Sequence, residues 1–147
     1  MPDDIADDFT NDVASRPAGA TVSNRLLAAG VVAGVVALLP FVVSPELDTA
    51  RSAEVADHVL PSVVVLAAAG SVLAAQRRGR VGPMAFLGAG LAILLAGIWM
   101  ATTHVPLLFQ AARGDAPWFG SLYHSAAAAI VLGTGVAWAS AAWTQAE

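Results

Sequence analysis

The chain has 147 residues, of which 57% are hydrophobic and only 12% charged, with a formal net charge of -4 and a mean hydropathy of +0.69. A soluble domain of this length has no interior large enough for so much apolar surface, which excludes an ordinary soluble fold. The chain contains no cysteine, which excludes disulfides, thiolate metal sites and cysteine nucleophiles, and all seven of its basic residues are arginines.

Residues 1–24 form a separate acidic segment. Asp3, Asp4, Asp7, Asp8 and Asp12 give it self-repelling charge, as in a disordered tail. Ile5, Phe9 and Val13 recur every four residues, so a short amphipathic helix that docks on a cytoplasmic partner is the alternative. Residues 25–147 then carry four uncharged apolar runs, at 26–43, 58–75, 83–103 and 122–143. About 20 helical residues cross a hydrocarbon core of about 30 Å, so each run has the length of a transmembrane helix. None alternates with the period of two that a lipid-facing barrel strand requires. The expected fold is therefore all-α, an integral membrane four-helix bundle, and a tandem pair of helical hairpins is consistent with the recurrence of His58 and His124 at the start of the two return helices. A cleaved signal peptide is the other account of the first run, but that run exceeds the usual apolar region of such peptides.

Arginine placement sets the expected orientation. Arg16 and Arg25 precede the first run, and Arg77, Arg78 and Arg80 fill the short link between the second and third. The two remaining links carry Glu46, Asp48, Glu54 and Asp57 against Arg51, and Asp115 against Arg113. Cytoplasmic flanks are enriched in basic residues, so a multi-pass protein of the cell membrane with both termini in the cytoplasm is expected.

Helices associate in lipid by close packing through small residues at four-residue spacing. Gly30 and Gly34 with Ala29, Ala33 and Ala37 supply such a face on the first helix, Gly88, Ala92 and Ala96 on the third, and Ala129, Gly133, Ala137 and Ala141 on the fourth. These faces serve the bundle itself, a membrane-protein partner or a homo-oligomer.

On this topology His58 opens the second helix, His104 closes the third and His124 opens the fourth, all at the outer interface. Imidazole is the commonest transition-metal ligand, so His58, His104 and His124 with the carboxylate of Asp57, and Glu54 one turn earlier, form a candidate metal site. Two of the histidines facing each other would instead suit a b-type haem, with Arg51 or Arg113 near its propionates. The plainer account leaves imidazoles at the headgroup level, where polar side chains of any membrane protein gather. Helical spacing puts His104 on one face with Met100, Gly97, Ile93 and Gly90, whereas His124 lies about 140° from the Gly133 stripe at 100° per residue. No His-x-x-His or His-x-x-x-His pair occurs on one helix.

The link from Val105 to Tyr123 is expected as an apolar loop, with Trp118, Phe119 and Tyr123 joining Trp99 in an outer aromatic belt and Trp138 and Trp143 near the opposite interface. It could also act as a lid over the histidines or a surface for a quinone or lipid. Most glycines lie within the apolar runs and no phosphate-binding loop of the P-loop or dinucleotide-binding form occurs, and no activated serine arrangement suggests a hydrolase. No basic surface for nucleic acid exists beyond the Arg77 turn. Three roles remain: a structural or accessory subunit that packs in the bilayer, a metal- or haem-binding redox subunit using the histidines, and a small transporter or lipid- or quinone-binding protein.

Overall fold

The computed structural model describes residues 22–43 and 51–145. The acidic segment with Ile5, Phe9 and Val13, and Glu46 and Asp48 of the link after the first run, lie outside these residues. The described residues are almost wholly helical and contain no strand. Helix α1 is Asn24–Val43. Helix α2 opens at Arg51–Glu54, passes through a π-helical turn at Val55–Val59 and continues as Leu60–Arg77. Helices α3, Pro83–Arg113, and α4, Trp118–Thr144, complete an all-α four-helix bundle. All four helices are long and apolar enough to cross a membrane.

Local chemistry explains the helix ends. Ser23 caps α1, its hydroxyl accepting from the Leu26 N–H at 3.2 Å. Helix α2 closes around Gly79 at φ 64°, with Gly79 N–H to Gln76 O and Arg80 N–H to Ala75 O. Helix α3 closes the same way around Gly114 at φ 82°, with Gly114 N–H to Ala111 O and Asp115 N–H to Gln110 O. Both glycines occupy the left-handed position of a Schellman motif, which side chains with a Cβ rarely tolerate.

The third helix overturns the expectation of a loop over residues 105–123. Helix continues ten residues past Thr103, through Pro106 to Arg113, and α4 starts at Trp118, leaving only a four-residue link from Gly114 to Pro117. Pro106 removes one hydrogen bond, yet Leu107, Leu108, Gln110, Ala111, Ala112 and Arg113 are good helix formers and the first true breaker is Gly114. The second and fourth helices likewise start before the expected His58 and Leu122.

Each helix packs on its neighbours in chain order, and α4 closes the bundle against α1. The core holds Val65, Phe86, Ile93, Met100, Val131 and Trp138, all fully buried. Outward-facing Val42, Leu95, Phe119 and Trp143 are more than 60% exposed, a distribution suited to lipid and costly in water. Gly34 lets the Leu66 side chain press on the α1 backbone, and the Ser62 hydroxyl donates to the Gly34 carbonyl beside it.

Trp138 does not belong to an interfacial belt. Its ring is fully buried, wedged against Gly30 and tilted on Phe86 with centroids 5.5 Å apart, and its Nε1–H donates to the Leu26 carbonyl at 2.9 Å. Gly30 makes this possible, because a Cβ there would lie 3.0 Å from the indole. Trp138→Ala is expected to destabilise the bundle by about 3 kcal/mol or more, in the range for deleting a buried aromatic, whereas Trp143→Ala at a 64% exposed position changes little. Thermal melts of the two variants in detergent measure the difference.

The small-residue stripe expected on α4 is displaced. Gly133 has nothing within 4 Å of a Cβ built on it, and Ala129 and Ala137 are exposed. The inward face runs instead through Ser121, His124, Ala128, Val131, Gly135 and Trp138. On α3, Gly88 also faces outward, while Gly90 and Gly97 meet α4.

Candidate metal centre

Three helices each turn one histidine into the bundle at the same level. His104 ends the inward stripe Gly90, Ile93, Gly97 and Met100 of α3, as its spacing indicated. His124 sits on the displaced inward face of α4, opposite to the expectation drawn from Gly133. His58 lies in the π-helical turn of α2, where the Leu60 N–H bonds to Val55 O, one residue further back than in an α-helix. Such wide turns concentrate at functional sites, and this one keeps Glu54 and His58 together on the inward side. All three imidazoles are at most 3% exposed.

The histidines are not at the helix ends. From His104, α3 runs on to Arg113, about 13 Å at 1.5 Å per residue, and α2 and α4 begin more than a turn before His58 and His124. The rings are inside the protein, covered by its own side chains.

His58 is the hub. Its Nε2 lies 3.0 Å from His124 Nδ1 and 3.0 Å from His104 Nε2. The ring pairs have centroids 4.7, 4.9 and 5.7 Å apart, and one nitrogen from each ring falls within 4.8 Å of the other two. His104 is oriented by its own helix: Nδ1–H donates to the Met100 carbonyl at 2.7 Å, with the Thr103 hydroxyl 2.8 Å away. Ser125 on α4 donates to the His104 carbonyl at 3.2 Å, tying α4 to α3 at this depth.

Proton accounting on these contacts is informative. Because the Met100 carbonyl can only accept, the His104 proton sits on Nδ1 and its Nε2 presents a bare lone pair to His58. If His58 Nε2 is also bare, two lone pairs face each other at 3.0 Å. If it carries a proton, that single proton must serve both His104 and His124. A His58 Nε2–H shared between the two lone pairs is the neutral arrangement, and a cation held among the three nitrogens is the alternative. Tetrahedral ligands at 2.0–2.1 Å stand about 3.3 Å apart; the two separations from His58 Nε2 are 3.0 Å, and the ligand nitrogens of all three rings lie within 4.8 Å of one another.

A cavity of about 100 Å³ adjoins the cluster, lined by Ala53, Glu54, Asp57, Thr103, Leu107 and the three histidines. The Glu54 carboxylate is the nearer acid: its Oε2 is 4.0 Å from His58 Nε2, and it is also an electrostatic neighbour of His124. Asp57 is half-buried in the cavity wall, outside the group of converging nitrogens. Arg113, exposed at the far end of α3, bonds to the Phe109 carbonyl. The lid imagined over residues 105–123 is replaced by the helical wall carrying Leu107.

The three rings in mutual contact fill the space a porphyrin plane would need, so the arrangement suits a single ion and not a haem. Sequence reasoning named all three histidines and both acids. It missed the orienting Met100 carbonyl and Thr103 hydroxyl, for which only the adjacency of Thr103 to His104 was a signal. No protein-family model, curated protein or solved structure matches the chain.

Proposed function

We propose that this chain is a multi-pass membrane protein that binds a divalent first-row transition metal through His58 Nε2, His104 Nε2 and His124 Nδ1. The observation that carries this reading is the gathering of three buried imidazoles from three helices, with His104 Nε2 and His124 Nδ1 each 3.0 Å from His58 Nε2 and all three nitrogens within 4.8 Å of one another. Three neutral nitrogens with no thiolate suit zinc, copper, nickel or cobalt, and the His104 Nδ1–H to Met100 carbonyl bond is the outer-shell contact that metal-ligating histidines use. Glu54 supplies or faces the fourth position, with Asp57 behind it; a fourth position beside a cavity is the layout of a reactive centre more than of a closed structural one.

Charge supports a cytoplasmic placement of both termini. Gln76 donates to Asn24, which gathers Arg25, Arg77, Arg78 and Arg80 at one end of the bundle. The metal centre then lies toward the outer side of the membrane. The outward stripe Ala129, Gly133 and Ala137 of α4 supports a membrane partner or second copy packing there.

Metal analysis of the detergent-purified chain after exposure to zinc or copper tests the central reading. The wild type is expected to retain about one equivalent, and His58→Ala, His104→Ala and His124→Ala to retain less than about a tenth of it while keeping helical circular dichroism. A wild type that binds none of these metals and whose melting temperature ignores them overturns it.

A further inference from the structure

The three imidazoles are at most 3% exposed, so an ion reaches them only where the protein leaves a way in. On the core side there is none. Ser62 follows His58, Met100 precedes His104, and Ala127 and Ala128 follow His124, each by about one turn, and each is buried. Between α3 and α4 the Ser125 hydroxyl bonds across to the His104 carbonyl. The cavity of about 100 Å³ lies on the remaining side. Ala53 and Glu54 precede His58 and Leu107 follows His104, so it opens toward the end of the bundle away from Arg77, Arg78 and Arg80. Its wall passes from the histidines through half-buried Glu54, Asp57, Thr103 and Leu107 to exposed Ala53, and among the described residues it carries two carboxylates and no arginine.

We propose that this cavity is the entry port of the metal and that Asp57 is its capture residue, drawing a divalent cation out of water and toward the histidines. The assignment rests on the metal reading of those histidines. Size calls for an oxygen donor on the way in. The cavity holds roughly three water molecules at about 30 Å³ each, so an ion with an octahedral shell of about six waters cannot pass intact. The Asp57 carboxylate and the Thr103 hydroxyl stand where the shed waters need replacing. Position separates the two acids. Glu54 Oε2 is 4.0 Å from His58 Nε2 and faces the bound ion, whereas Asp57 stands outside the group of ligand nitrogens and acts on arrival, not on retention. Negative charge lining a low-dielectric cleft raises the association rate of a cation by about 10- to 1,000-fold.

The test is stopped-flow uptake of Co²⁺, followed by its visible absorption, on the metal-free full chain in phosphatidylcholine nanodiscs, whose lipid has no net charge. Asp57→Asn is expected to slow association about tenfold and to leave the dissociation rate and the spectrum of the bound ion unchanged. Ala53→Phe, which narrows the mouth, slows association and release alike, so the Co²⁺ bound at saturation stays at the wild-type level. Asp115→Asn removes an exposed acid at the same end of the bundle but outside the cavity, and changes neither rate. Association that is indifferent to Asp57→Asn or to Ala53→Phe, or that Asp115→Asn slows as much as Asp57→Asn, overturns the entry port. Faster dissociation with a shifted spectrum in Asp57→Asn also overturns it, by making Asp57 a ligand. These outcomes leave the metal centre standing, whereas Co²⁺ that never binds the wild type overturns the metal centre and this assignment with it.

Discussion

Gly135→Leu is expected to separate α3 from α4 and to abolish metal binding, although it changes no ligand. A Cβ at Gly135 would stand 2.4 Å from Leu94 Cα and 2.6 Å from its nitrogen, and a Cβ at Gly97 would stand 2.5 Å from Leu132 Cα. The two glycines are reciprocal, each facing the backbone of a leucine on the opposite helix. No rotamer change relieves such a contact, because the obstructing atoms are main chain. The helices must move apart, and the cost exceeds about 3 kcal/mol, the upper range for overpacking a core. His104 and His124 ride on these helices, so their nitrogens separate as the helices do. Gly133→Leu and Gly88→Leu are the controls, since both positions open onto empty space. Thermal melts and metal content of the three variants decide the matter: equal behaviour of Gly135→Leu and Gly133→Leu would show that the α3 and α4 backbones do not touch there.

The four spans were legible because lipid demands uninterrupted apolar runs, and their identity follows from residue type alone. Their ends were less legible. Breaking a helix takes more than one proline in a favourable stretch, and from Leu107 to Arg113 nothing but Pro106 argued against continuation. The inward face of α3 could be read because Gly90, Gly97 and His104 share it with large Ile93 and Met100. On α4 the same reasoning failed. Alanine and glycine occur there at nearly every register, so a four-residue stripe could be drawn through Gly133 as easily as through Gly135, and only the partner backbone distinguishes them. His124 was consequently assigned outward. The π-helical turn at Val55–Val59 has no residue signature, yet it carries the hub of the cluster. The three histidines were thus individually visible, while their convergence depended on two registers that side-chain type does not encode.

Metal removal and acid are expected to act on the same centre and in the same direction. A metal that binds only the folded chain stabilises it by about 2.7 kcal/mol when present at a hundredfold excess over its dissociation constant. Chelation at neutral pH therefore lowers the melting temperature, and His58→Ala removes the response to chelator because both 3.0 Å contacts run through its Nε2. The sign of the pH effect follows from competition. The point where three lone pairs converge takes either a metal ion or a proton, and a nitrogen that holds a proton is no longer a ligand. Lowering pH adds the proton and expels the metal, so metal affinity falls with falling pH, by about one decade per pH unit once a single central proton is the competitor. Glu54 and Asp57 on α2 and the Thr103 hydroxyl on α3 are the other polar groups around the cavity. Zinc titrations between pH 5 and 8, followed by melting temperature, measure the slope. A slope near one indicates that the bundle holds the rings together without metal, as the 3.0 Å contacts require. A slope approaching three would mean that all three imidazoles take up protons separately, which can happen only if α2, α3 and α4 spread apart when the metal leaves.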